Sequence, residues 1–168
     1  MIYIIRVLIL FLGLLKFSAP ALAGGFSSEM EEVVKVCSGG ECSGPYLLEH
    51  IYDHNQGASG SALAKKLKAV AQEQAHIWAD TILEGDYVAD GKTRLDKAVA
   101  IYKYDKLLAY FITYSERAWD TSTCLYDALD DATLARCKRG RIVESVYLSP
   151  DFSDYYFADE NYARFVEK

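Results

Sequence analysis

Histidine is the scarcest acid–base group in the 168-residue chain, and two of its three copies stand four residues apart. In Leu47-Leu48-Glu49-His50-Ile51-Tyr52-Asp53-His54, a helix would project the His50 and His54 imidazoles from one face, with Glu49 and Asp53 beside them. Two imidazoles so placed hold zinc or copper when a third ligand reaches them, and His76 is the one remaining histidine. The helical metal pair of zinc proteases needs Glu directly after the first His. Ile51 stands there, so protease chemistry is set aside. Surface histidines without a ligand are the plainer account, and no cofactor is expected unless His50 and His54 are completed as such a metal site.

Nucleophile chemistry has less support. Gly57-Ala58-Ser59-Gly60-Ser61 departs from the Gly-x-Ser-x-Gly of a strained nucleophile turn and lacks the Gly-Lys-Ser/Thr ending of a phosphate loop, so it reads as a linker or helix cap. The four cysteines, Cys37, Cys42, Cys124 and Cys137, do not have paired zinc-ribbon spacing. In an oxidising compartment they imply two disulfides. Of the three pairings open to them, Cys37 with Cys42 and Cys124 with Cys137 is expected, since each partner is the nearest and Ser38-Gly39-Gly40-Glu41 can close a short loop. Oxidised thiols are not nucleophiles. Acid pairs such as Glu31-Glu32, Asp130-Asp131 and Asp159-Glu160 read as solvated surface. Glu84 and Glu144 each fall inside an apolar run and are the carboxylates that could face inward as an acid–base pair.

Two clusters favour binding over catalysis. Lys138-Arg139-Gly140-Arg141 follows Cys137 directly, so a disulfide would hold a basic loop on an acidic protein, where Lys138, Arg139 and Arg141 can meet carboxylates. Near the C-terminus, Asp151-Phe152-Ser153-Asp154-Tyr155-Tyr156-Phe157, with Tyr162 and Phe165, mixes acids and aromatics. Tyr155 and Tyr156 are the expected contact residues there, because tyrosine gives an interface area and a hydrogen bond together.

These groups need elements to position them. Residues 26–37 and 46–54 are each expected to form a short helix. A longer amphipathic helix follows the Gly/Ser stretch, with Leu63, Leu67, Val70, Gln74 and Ile77 on one stripe and Ser59 or Ser61 as its cap. Thr81 to Val88 reads as a strand ended by a turn at Asp90-Gly91. Residues 97–104 and 107–115 read as a hairpin around Tyr104-Asp105-Lys106, with Leu108, Tyr110, Ile112 and Tyr114 on one face and Leu107, Ala109, Phe111 and Thr113 on the other. A single helix over 92–117 is the rival. Ile142 to Leu148 alternates as a further strand. The expected fold is α+β, with N-terminal helices packed on an antiparallel sheet of about four strands and two disulfides; a mainly α chain is the alternative.

Residues 1–23 carry the marks of a signal peptide: Arg6, then the apolar run Val7 to Leu15, then Ala21-Leu22-Ala23. Removing 23 of 168 residues leaves 145, the size of one secreted globular domain over 24–168. Arg6 and Lys16 leave with the signal, so 18 basic residues become 16 against 24 acidic ones, a formal charge of −8. That sign disfavours nucleic acid as a partner. No later apolar run reaches the length of a membrane span, and the absence of an Asn-x-Ser/Thr sequon favours a bacterial periplasm over a glycosylating secretory route; a periplasmic or secreted location is expected. The expected role is an exported protein-binding module, an inhibitor or accessory factor of an envelope or extracellular enzyme. A small metal-binding protein or hydrolase built on His50 and His54 or on a carboxylate pair is the alternative.

Overall fold

The computed structural model describes residues 27–38, 40–56, 61–82, 87–122, 124, 131–134, 136–158 and 164–167, with backbone alone at 76–82, 131 and 133. The expected signal peptide, Glu84, Asp130, Asp159, Glu160 and Tyr162 lie outside the described residues.

The chain opens with α1 (Ser28–Val36), the two-residue strands β1 (Cys37–Ser38) and β2 (Glu41–Cys42), then β3 (Tyr46–Asp53) and a 3₁₀ turn at His54–Gln56. The long helix α2 (Ala62–Ile82) leads into β4 (Tyr87–Lys103) and β5 (Lys106–Asp120). A short helix α3 (Asp131–Leu134) is followed by β6 (Lys138–Leu148), β7 (Tyr155–Phe157) and β8 (Arg164–Glu167). One antiparallel sheet runs in the order β3-β4-β5-β6-β7, with β8 on a separate stretch of β6, and β1 and β2 form a two-stranded ladder of their own. The described chain is therefore mainly β, with a six-stranded sheet. The expected α+β arrangement of leading helices on about four strands, and its mainly α alternative, are both overturned.

The error has local causes. Residues 46–53 form a strand instead of a helix, paired from Tyr46↔Lys103 to Asp53↔Lys97. Tyr46, Ile51 and Tyr52 are good strand formers, and pairing with β4 outweighs the helical spacing of the histidines. The helix α2 continues through Ile82, across the start of the strand expected from Thr81. Asp90-Gly91 is not a turn: Gly91, at φ 69°, makes a bulge inside β4 between Ala89 and Thr93. A glycine with positive φ serves turn and bulge alike.

Other expectations hold. The hairpin forms and is longer than expected, and Ile142–Leu148 is a strand that begins at Lys138. Both local disulfides are present, Cys37–Cys42 and Cys124–Cys137. Ser61 caps α2 by accepting from the Ala64 N–H at 3.1 Å, as Ser27 caps α1 by accepting from the Met30 N–H at 3.2 Å. Glu29 and Glu31 near the start of α1, and Lys35 at its end, suit the helix dipole.

The two faces of the sheet are covered differently. Leu67, Ala71 and Ala75 of α2 pack on Leu95, Ala98, Ala100, Ile112, Tyr114, Ile142 and Leu148, all buried. Alanines on the helix allow its close approach to the sheet. On the other face, Met30 and Val33 of α1 and Cys37 bury Ile101, Leu108, Ala109, Phe111 and Tyr147. Leu108 is here an addition: it is the extra residue of a bulge between Ile101↔Ala109 and Tyr102↔Leu107. It therefore joins Ala109 and Phe111, while Leu107 packs with the α2 core, the reverse of the expected alternation at those two positions.

A candidate anion-binding face

Beyond α1, the second face changes character. Along β5, Phe111 gives way to Thr113, Ser115, Arg117 and Trp119, and along β6, Tyr147 gives way to Ser145, Val143, Arg141 and Arg139. The register joins these in pairs: Phe111↔Tyr147, Thr113↔Ser145, Ser115↔Val143, Arg117↔Arg141 and Trp119↔Arg139. Thr113 and Ser145 hydroxyls are hydrogen-bonded at 2.9 Å. On β4, Arg94 lies opposite Ser115, and on β8, Arg164 lies opposite Val143. Five arginines thus share one end of one sheet face.

Their partners are few. Arg94 is paired with Asp96, and Arg117 Nε lies 3.4 Å from Asp90 Oδ2. Arg117 also stands 5.4 Å over the Trp119 ring, a cation–π contact. Arg141 donates from Nε to Ser115 Oγ at 2.6 Å and from Nη2 to the Ser115 carbonyl at 2.7 Å and the Lys92 carbonyl at 3.4 Å. Those acceptors are neutral. Among the described residues Arg139, Arg141 and Arg164 make no ion pair. Burial, and then the charge of Arg94, push the Arg141 pKa below the usual arginine value. Like charges directly across a ladder, as at Arg117↔Arg141, destabilise it, a cost that the contacts of Arg117 with Asp90 and Trp119 and of Arg141 with Ser115 work against.

The expected basic loop is a strand. Because side chains alternate, β6 sends Arg139 and Arg141 to this face and Lys138 to the other. Lys138 is held there by Glu167 at 2.7 Å, which raises its pKa. Tyr155 and Tyr156 also part. Tyr155 packs against the α2 core and meets Phe157 edge-on at 5.4 Å, whereas Tyr156, 40% exposed, is opposite Tyr147 on the α1 face. It lines a cavity of about 270 Å³ with Met30, Glu31, Val34 and Lys35. Tyr147 lies six positions along β6 from Arg141, roughly 20 Å, so the tyrosines and the arginines form no joint site.

Spacing in a strand also undoes the histidine pair. His50 belongs to β3, whose bulge between His50 and Tyr52 breaks the alternation, and His54 begins the 3₁₀ turn beyond it. No group of three metal-ligating side chains occurs among the described residues, which do not include the His76 side chain.

Two carboxylates do face inward. Glu144, 3% exposed, lies opposite Tyr114 under α2 and accepts from the Ser145 N–H at 3.1 Å. Glu116, 2% exposed, closes the Gly91 bulge by accepting from the Lys92 N–H and from Thr93 Oγ1 at 2.7 Å. Burial raises its pKa against those hydrogen bonds. Neither carboxylate lines the cavity beside Tyr156 or the one of about 630 Å³ between α1 and the β4–β5 turn.

Sequence reasoning missed Arg94, Arg117, Arg164 and Trp119. Arg117-x-Trp119 and Arg139-x-Arg141 are both strand-spaced, which was the available signal; Arg94 was concealed by the bulge at Asp96. No family model matches the chain, and comparison with curated proteins and with solved structures returns no match.

Proposed function

We propose that the chain is an exported protein-binding module that receives an acidic partner on the arginine end of its open sheet face. The observation that carries this reading is charge segregation. A chain with 24 acidic and 18 basic residues concentrates Arg94, Arg117, Arg139, Arg141 and Arg164 on one half-exposed surface, answered there by Asp90 and Asp96. Arginine suits such a surface because its planar fork grips carboxylates and its weak hydration lowers the cost of burial. Two disulfides are compatible with an oxidising compartment. Among the described residues no helix is long and apolar enough to cross a membrane. An inhibitor or accessory factor of an envelope or extracellular enzyme is the role such a surface would serve. The net negative charge of the rest of the chain disfavours a phosphate backbone as the bound polyanion.

The test is capture from a nuclease-treated native envelope extract, with residues 24–168 as bait. The expected result is one stoichiometric acidic protein, retained at low salt, released at high salt, and lost with Arg117→Glu/Arg139→Glu. A partner that binds this double variant as well as the parent places the interface elsewhere and overturns the reading.

A further inference from the structure

Arg141 differs from its four neighbours in how it is held. Arg139 and Arg164 are exposed, and Arg94 and Arg117 face carboxylates. The Arg141 guanidinium is half-buried and clamped by two hydrogen bonds to one residue, Ser115, which is itself fully buried. Clamping fixes the plane of the fork, and its Nη1 group makes no hydrogen bond among the described residues. A guanidinium that has lost part of its water, feels Arg94 as well as Asp96, Glu116 and Asp90, and makes its hydrogen bonds to neutral oxygens gains from an anion on its open edge.

We infer that Arg141, oriented by Ser115 and flanked by Arg94 and Arg117, is the anchor of a carboxylate subsite, which seats one Asp or Glu side chain of the acidic partner. The inference rests on the reading of this face as the docking surface and assigns its central contact. Side-chain freedom at Arg141 is already lost before binding, so docking there costs less entropy than at an unrestrained arginine. Arg94 and Arg117 add attraction without direct contact, and the exposed Arg139 contributes to encounter.

A fluorescent hexaglutamate peptide tests this by anisotropy at low and high salt, with circular dichroism as the check on folding. Salt-sensitive binding is expected. Arg141→Lys keeps the charge but not the fork, and should weaken binding about tenfold. Ser115→Ala frees the guanidinium and should weaken it less, in the same direction. If Arg141→Lys and Ser115→Ala both bind like the parent while Arg139→Glu does not, the face is used and the subsite is overturned. If Arg117→Glu/Arg139→Glu binds like the parent, the reading of the face itself fails. Binding of heparin with none of hexaglutamate also overturns the inference, in favour of a sulfated polysaccharide.

Discussion

The two faces of β5 share a backbone and differ in almost everything else. Ile112 and Tyr114 look toward α2 and are buried with Leu67, Ala71 and Ile142. Thr113, Ser115 and Arg117, one residue out of phase, form a hydroxyl-lined surface that ends in arginine. The first face is constrained by volume, since each side chain must fit the helix above it. The second is constrained by charge and hydrogen bonding: beyond α1, Ser115 is buried and holds the half-buried Arg141 guanidinium. On the proposed function, stability and recognition fall on opposite sides of this stretch of the ladder, and substitutions should separate them.

The largest effect is expected from adjacent residues on opposite faces. Ile112→Ala opens a cavity beneath α2 and should cost about 2–5 kcal/mol in urea unfolding. Thr113→Ala loses its 2.9 Å bond to Ser145 in a half-exposed setting and should cost about 1 kcal/mol or less. Equal losses would break the comparison.

Within the second face, the α1 end should behave like a core and the arginine end should not. Gly40 has φ 80°, and a Cβ there would stand 2.6 Å from Phe111 Cδ1, so Gly40→Ala has both backbone strain and a clash to relieve. A loss on the order of 2 kcal/mol is expected. Arg139→Glu, at the exposed end and without an ion pair among the described residues, should shift stability by no more than about 0.5 kcal/mol while weakening partner capture. A large loss of stability in Arg139→Glu would show that the arginine end is structural after all.

The parts of this fold legible in sequence were those with strong local periodicity. The α2 stripe, the β4–β5 hairpin and the 142–148 strand follow from spacing, and the disulfides from proximity. What escaped depended on partners distant in sequence. Tyr46–Asp53 is a strand because β4 lies beside it, more than forty residues later. Bulges at Asp96 and Leu108 each shift the face count by one, and the irregularity at Gly91 shifts the pairing by two, which no fixed period anticipates. Of the proposed contacts, Arg139 and Arg141 were found as a charge run. Their neighbours Arg94 and Arg117 came to them only through register. Reading Lys138–Arg141 as a loop kept Lys138 in the group, where strand alternation removes it.

The smallest effect sharpens the core side of the comparison. At the β6–β7 turn, Asp151 accepts from Ser149 Oγ at 2.7 Å, from the Ser153 N–H at 3.2 Å and from Ser153 Oγ at 2.9 Å. These bonds, Ser149 first, lower its pKa to about 2. The same turn carries Phe152 at φ 64°, stacked 5.4 Å from Tyr110 over the α2 core. A pKa below the ordinary 3.8 means that the carboxylate form is favoured by folding. Its contribution is present above pH 3.8 and is lost as the pH falls toward about 2. Asp151→Asn should therefore melt slightly below the parent near neutral pH, and the gap should close through that acid window. A gap of the same size at both ends of the window would mean that the side chain acts through shape, and that Phe152 is seated on the core without help from the charge.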